Sequence, residues 1–118
     1  MARMSKRHLT AWARFSEDLM AFIEETGEEF ATLYEDAYTT RQVKGFEMTE
    51  DGILTWWEYD TYSKTPLKQE REQMMDEDDA REWLSFWRAN LRRARRYWEM
   101  DTETLDRIQD GELEDKED

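Results

Sequence analysis

The Asp51-Gly52 pair constrains the fold of this chain more than any other feature, because it lies between two segments whose apolar residues alternate. Asp-Gly readily adopts the positive backbone angles of a two-residue type I′ turn, so the segment from Val43 to Tyr62 is predicted to form a β-hairpin. A two-residue turn pairs Phe46 with Trp57 across the hairpin. The face expected to meet the core then consists of Phe46, Met48, Ile53, Trp57 and Tyr59.

The other face of the hairpin carries Trp56, and three acids share that face: Glu47, Glu58 and Asp60. A tryptophan among carboxylates has the character of a hot spot for a basic partner, since it combines apolar area with negative charge. A second interpretation is that another helix or the C-terminal segment covers this indole. Both interpretations place Trp56 opposite the core face.

The segment from Leu9 to Tyr38 has apolar residues with a period near 3.6 and is predicted to form an amphipathic helix. Gly27 interrupts it, and Thr26 with Glu29 has the Ser/Thr-x-x-Glu form of a capping box. One helix kinked at Gly27 and two consecutive helices are both compatible with this pattern. The helical phase continues past the glycine, so the same face is buried in either case.

A second long helix is predicted near the C-terminus from its charges. Asp76 to Asp79 are four acids in the place where the helix dipole favours negative charge, and the arginines within 92–96 follow where it favours positive charge. The inward stripe of this helix is expected to be Leu84, Trp87, Leu91, Ala94 and Trp98.

A weaker strand is predicted from Leu67 to Met74, after a turn at Ser63–Pro66. Its Lys68 and Arg71 should discourage pairing with any further strand, so it is expected at a sheet edge. The fold class is therefore α+β, a three-stranded antiparallel meander with a long helix at each end, in the order α-β-β-β-α.

The length of 118 residues suits one domain, which is expected to span residues 1–109. Within it, Thr102–Gln109 fits a short additional helix. Residues 110–118 are rich in acids and are expected to form a mobile tail.

The composition argues against catalysis. The chain has no cysteine and a single histidine, His8, so thiol nucleophiles, disulfides and zinc–thiolate sites are excluded, and no other imidazole is available as a general base. The acids at 76–79 lack the glycine and the terminal glutamate of a calcium loop. We expect no enzymatic activity, no cofactor and no metal. Without an apolar run long enough for a membrane span or a secretory signal, we expect a cytoplasmic location.

The charge balance favours a basic protein partner. The chain has 17 basic and 30 acidic residues, a net charge of -13, which repels nucleic acid and anionic membranes. The segment from Phe15 to Thr40 contains acids and no basic residue. An outward line of carboxylates there would resemble the phosphates of a nucleic acid, on the order of 6–7 Å apart. An ordinary solvated helix face is the alternative interpretation.

An arginine cluster in the last helix instead indicates direct binding of nucleic acid. Arginines with neighbouring aromatic rings can follow a phosphate backbone and stack on bases. The predicted order of elements is also that of double-stranded RNA-binding domains, but the basic loop of that family is absent. The alternative is that carboxylates of the protein itself neutralise the cluster, which contains Arg88, Arg92, Arg93, Arg95, Arg96, Tyr97 and Trp98.

The acidic run Glu17–Asp36 and the hairpin Phe46–Tyr62 carry a resemblance to a known group of proteins. In size, charge, lack of cysteine and order of elements, the chain resembles the small acidic inhibitors that phages make against bacterial defences, the anti-CRISPR and DNA-mimic anti-restriction proteins. The resemblance implies a host nuclease complex or another nucleic-acid-handling machine as the partner, met in the host cytoplasm.

We therefore expect a non-enzymatic inhibitor that docks an acidic face on a basic nucleic-acid-binding surface. A nucleic-acid-binding module that uses the arginine-rich helix, and a phage structural or assembly factor, are the alternatives. The oligomeric state stays open. The residues expected to contact the partner are Glu24, Glu25, Glu28, Glu29, Glu47, Trp56, Glu58 and Asp60.

Overall fold

The structure, a computed structural model, describes residues 3–35, 39–60 and 67–100. Its elements are α1 (Lys6–Thr26), β1 (Ala31–Tyr34), β2 (Thr40–Met48), β3 (Ile53–Asp60), β4 (Leu67–Met74) and α2 (Glu77–Glu99). The strands form one antiparallel four-stranded sheet in the order β1-β2-β3-β4.

The predicted α+β class is confirmed, and the predicted strand at 67–74 is present as the edge strand β4. The order is α-β-β-β-β-α, so the predicted count of three strands is one too few. The predictions of a turn at Ser63–Pro66, a helix at 102–109 and a tail at 110–118 lie outside the described residues. No helix in the described ranges combines the length and the apolarity needed to cross a membrane.

The additional strand, β1, lies where a continued helical period was predicted. α1 ends at Gly27, whose φ of 73° is left-handed and whose N–H donates to the Ile23 carbonyl at 3.0 Å. A left-handed glycine of this kind terminates a helix. The hydroxyl of Thr26 also donates to that carbonyl instead of capping a second helix. Residues 31–34 then alternate between buried and half-buried, as expected of a strand.

The β2–β3 hairpin is present, but its loop has one residue more than predicted. The Thr49 N–H donates to the Ile53 carbonyl at 3.0 Å, and the Gly52 N–H donates to the Thr49 carbonyl at 3.0 Å. Gly52 has a φ of 86°, typical of a three-residue hairpin loop that ends on a left-handed glycine. Because side chains alternate along a strand, a shift of one residue moves every β3 side chain to the opposite face.

A β-bulge in β2 preserves the burial of its apolar residues. Lys44 pairs with Trp57 and Glu47 with Thr55, so two β2 residues, Gly45 and Phe46, lie opposite one residue of β3. Gly45 has a φ of 68°, which a residue with a side chain rarely adopts. The extra residue places Val43 and Phe46 on the same side of the sheet, where both are buried.

Both helices cover one face of the sheet, and Phe46 lies at the centre of the core. Its ring is 6.0 Å from that of Trp12 in α1 and 5.5 Å from that of Trp87 in α2. In α2 the predicted inward stripe is confirmed for four of its five residues. The fifth, Trp98, is 54% exposed. Its neighbour Tyr97 is buried instead, with its ring 4.5 Å from that of Tyr34 in β1.

Candidate protein-binding face

A groove of about 710 Å³ lies between α1 and the bulged part of β2. Its walls are largely small or apolar, with Ala13, Met20 and Ala21 on the helix and Gly45 and Met48 on the strand. Its charged lining residues are all acids: Glu17, Glu24 and Glu47. The groove is therefore an apolar surface with a negative rim.

An exposed indole lies near this groove, next to Gly45. Trp57 points to the outer face of the sheet, opposite the helices, and is 40% exposed. Its Cδ1 atom lies 3.5 Å from the position that a Cβ on Gly45 would take, so the indole rests on the backbone of the bulge. Gly45 also lines the groove, so the groove and the indole are neighbours on either side of this glycine.

Further carboxylates flank Trp57 on the neighbouring strands. Glu70 of β4 pairs directly with Trp57, and Glu72 pairs with Thr55. On the other side of β3, Glu47 also pairs with Thr55. Paired and diagonal residues on one sheet face have Cβ atoms about 5–8 Å apart. We call the whole surface the acidic face, and it comprises Glu17, Met20, Glu24, Glu47, Trp57, Glu70 and Glu72.

The prediction that Trp56 is the exposed indole is wrong. Trp56 is 6% exposed, and its ring is stacked on that of Phe46 with centroids 5.6 Å apart. The cause is the three-residue loop, which turns Trp56 inward and Trp57 outward. An indole beside acids does lie on the outer face, but it belongs to the next residue in the chain.

Three of the predicted contact acids are exposed and available. Glu24, Glu28 and Glu47 have exposed side chains and form no ion pair within the described part of the chain. Glu24 and Glu47 meet at the same groove. Glu28 follows the C-terminal glycine of α1 and lies outside that groove, beside a smaller pocket between α1, β1 and α2.

Three other predicted contact acids are bound by cations of the protein itself. Glu25 Oε2 lies 2.7 Å from Arg95 Nη1, and Glu29 accepts a hydrogen bond from Lys68. Glu58, predicted on the outer face, lies on the core face, with its side chain 18% exposed and 3.0 Å from Arg71 Nε. Asp60, on the same side of β3, is half-buried and engaged in an interaction of its own. These four residues are already engaged in interactions within the protein.

Glu29 forms ion pairs with two lysines of the outer sheet face. It binds Lys68 and also lies 3.4 Å from Lys44 Nζ, which in turn is 4.6 Å from the centre of the Phe30 ring. The hydrogen bond from Lys68, reinforced by Lys44, lowers the pKa of the Glu29 carboxyl below its usual value, although desolvation opposes this. Lys44 is paired with Trp57 in the sheet. Because the single Glu29 carboxylate is shared by two lysines, it offsets only one of their charges, and one positive charge remains beside the acidic face.

The acids at the end of α1 are not explained by helix stability. Glu24 and Glu25 lie in its last turn, where the dipole favours positive charge and no basic residue is present. In α2 the opposite holds, because acids occupy the first turn and Arg96 lies in the last. Glu24 thus opposes the dipole of its own helix while it lines the groove.

The arginine cluster is partly used inside the protein. Arg95 pairs with Glu25, and Arg93 Nη1 donates to the carbonyls of Tyr34 at 3.0 Å and Glu35 at 2.8 Å. Arg88 differs, because it joins three cations of α1 around a second pocket of about 460 Å³. The charged lining residues of that pocket are Lys6, Arg7, Arg14 and Arg88.

A histidine does lie beside a serine, which the sequence did not suggest. Ser5 Oγ is 2.7 Å from His8 Nδ1, and Glu77 Oε1 is 3.8 Å from the same nitrogen. A catalytic relay needs the two partners on different ring nitrogens. Ser5 is also the N-cap of α1, so the cluster fastens α1 to the start of α2.

The described residues contain no group of three or more histidine or acidic side chains placed to hold a metal ion. No protein-family model, curated protein or solved structure matches this chain. Its function is therefore inferred from the chemistry of its own surface.

Proposed function

We propose that this protein is a non-enzymatic inhibitor whose acidic face occupies the basic nucleic-acid-binding surface of another protein, such as a host defence nuclease complex. The observation that supports it best is the exposed indole of Trp57 beside a groove whose charged residues are all acids. Such an indole offers apolar area, and the carboxylates around it offer charge that selects a basic partner.

Lysine and arginine side chains match this surface chemically. Their aliphatic stems can pack on Met20 and on the indole of Trp57, while the cation reaches a carboxylate at the rim. The rim acids form no ion pair within the described residues, so binding does not first require breaking a salt bridge. A basic surface that normally holds phosphates would gain similar contacts from carboxylates held in fixed positions.

Competition binding tests this proposal. Labelled DNA or RNA is bound to purified RNA-guided and restriction nucleases, and the protein is titrated into each complex. We expect it to displace the nucleic acid from its target, with an affinity that falls as the salt concentration rises. A nuclease that binds the protein but keeps its nucleic acid at a saturating concentration of the protein would contradict occlusion.

A pair of tryptophan variants makes the test specific to the acidic face. Trp57→Ala should weaken binding by about 2 kcal/mol, roughly thirtyfold. Trp98→Ala is the matched control, because Trp98 is also exposed, at 54%, and lies on α2 rather than on the acidic face. Equal losses of affinity in the two variants would rule out the acidic face as the contact surface.

The pocket lined by Lys6, Arg7, Arg14 and Arg88 supports a second candidate function, the binding of nucleic acid through these cations. Its charged lining residues, from α1 and from Arg88 of α2, are all basic, which suits a phosphate backbone. Filter binding of labelled RNA and DNA at low salt distinguishes the two candidates. Retention that Arg88→Glu abolishes would favour the second, whereas an acidic inhibitor should retain no nucleic acid at any salt concentration.

A further inference from the structure

β4 is an edge strand, and its edge that faces away from β3 has no partner strand among the described residues. It is last in the sheet order and pairs with β3 in one unbroken register from Leu67 to Met74. Seven of its eight side chains are exposed, so neither helix covers it on either face. Long edge strands usually carry a bulge or a proline, or are covered, because free backbone N–H and C=O groups attract another strand. β4 contains no proline and no bulge, and no other described element covers it.

The two cations of β4 do not protect this edge either. Lys68 is bound to Glu29, and Arg71 Nε lies 3.0 Å from Glu58 Oε2, so each is paired with an acid of the same protein. The two acids of β4, Glu70 and Glu72, form no ion pair with any described residue. They lie two residues apart on the outer face, where Glu70 is paired with Trp57. The charged side chains of β4 that lack an ion-pair partner among the described residues are therefore both acids.

We infer that the free edge of β4 binds an extended basic segment of the partner as a fifth strand, with lysine or arginine at alternate positions facing Glu70 and Glu72. Residues two apart on a strand are about 6.6–6.8 Å apart, so alternate cations match this pair of acids. The edge itself supplies backbone hydrogen bonds that require an extended partner. The sign of the partner's charge rests on the function proposed above.

A second copy of this chain fits the edge poorly. Two identical antiparallel strands related by a two-fold axis keep each side chain on its own face, so the longest pairings centre on Glu70 or on Arg71. The first places Glu70 against its own copy, although it also places Lys68 against Glu72, and the second places Glu70 against Glu72 and Arg71 against its own copy. Like charges directly opposite each other are destabilising, and each copy carries a net charge of -13.

Two synthetic peptides test the inference with the full-length protein. The probe is a capped eight-residue peptide that alternates lysine and threonine, and its control carries an N-methyl group on every internal amide. We expect the methylated peptide to bind at least about tenfold more weakly by fluorescence anisotropy, because it cannot donate backbone hydrogen bonds. In the complex with the unmethylated peptide, hydrogen exchange should slow at alternate amides of residues 67–74.

Charge variants complete the test. Glu70→Gln with Glu72→Gln should weaken the probe by about tenfold. Asp18→Asn with Glu82→Gln removes the same charge from the exposed faces of the two helices and should leave the affinity within about twofold. Equal binding of both peptides with unchanged β4 exchange would overturn the edge inference and leave the competition result untouched. Protection of β4 in the free protein that disappears on dilution would assign the edge to a second copy and also overturn it.

Discussion

The core face and the outer face of the sheet carry adjacent tryptophans with opposite surroundings. On the core face, Trp56 stacks on Phe46 and contacts Trp83 of α2 at 5.8 Å between ring centroids. On the outer face, Trp57 rests on the backbone of Gly45 and remains 40% exposed. One residue in the length of the hairpin loop decides which indole supports the fold and which is offered to a partner.

The carboxylates of the two faces differ in the same way. Glu58 on the core face lies between two guanidinium groups, 3.0 Å from Arg71 Nε and 3.7 Å from Arg41 Nε. Glu47 and Glu72 on the outer face pair with Thr55 in the sheet and form no ion pair within the described residues. Glu58 is thus tied to the fold, whereas Glu47 and Glu72 keep their charge available.

The largest expected effect separates the two tryptophans. Trp56→Ala should lower the free energy of unfolding by about 3–5 kcal/mol, because it leaves a cavity beside Phe46. Trp57→Ala should lower it by less, about 1–2 kcal/mol, because the indole is 40% exposed and lies outside the core. Urea denaturation of both variants measures the difference. Equal destabilisation would mean that the two faces are not distinct.

Two left-handed glycines give the next largest difference. A Cβ on Gly52 would lie 2.5 Å from the Met75 carbonyl oxygen, where the hairpin meets the start of α2. Gly52→Ala should therefore cost about 2–3 kcal/mol, from backbone strain and a clash. A Cβ on Gly45 meets only an ordinary contact with Trp57 at 3.5 Å, so Gly45→Ala should cost about 1 kcal/mol. Thermal unfolding of the two variants checks the order, and the reverse order would contradict it.

Much of the fold follows from periodicity and charge in the sequence. α2 begins at its predicted acids, with Asp76 as N-cap, and β4 lies at its predicted edge. β1 was missed because Leu33 and Tyr34 continue the helical phase of α1 while they also fit a strand. The signal in the sequence is Gly27 itself, because a glycine at the end of a helical segment more often terminates the helix than kinks it. In the structure it adopts the left-handed conformation of a helix terminus.

The candidate site was harder to predict because it depends on loop length. Asp51-Gly52 is compatible with a two-residue turn and with a three-residue loop that begins at Glu50. The adjacent Trp56 and Trp57 allow either to bury an indole, so apolar content does not choose between them. Gly45 is a second signal in the sequence, because an isolated glycine within a strand often marks a bulge, and the structure has one there.

A smaller effect compares carboxylates of the two faces. Glu58→Gln should lower the free energy of unfolding by about 1–2 kcal/mol, because the side chain is 18% exposed and loses its charge toward Arg71 and Arg41. Glu47→Gln is the outer-face control and should change it by less than about 0.5 kcal/mol. Denaturant titration at neutral pH measures both. A larger loss of stability in Glu47→Gln than in Glu58→Gln would contradict the assignment of the structural acid to the core face.

The smallest expected effect has the opposite sign. Glu24→Gln should raise the free energy of unfolding by about 0.3–1 kcal/mol, because it removes a negative charge from the last turn of α1. Asp79→Asn, in the first turn of α2, should lower it by a similar amount, about 0.3–1 kcal/mol. If Glu24→Gln also weakens partner binding, then the same carboxylate opposes its own helix and serves the acidic face. A lower free energy of unfolding in Glu24→Gln would instead mean that this carboxylate stabilises the fold. Its presence in the groove would then no longer indicate a role in binding.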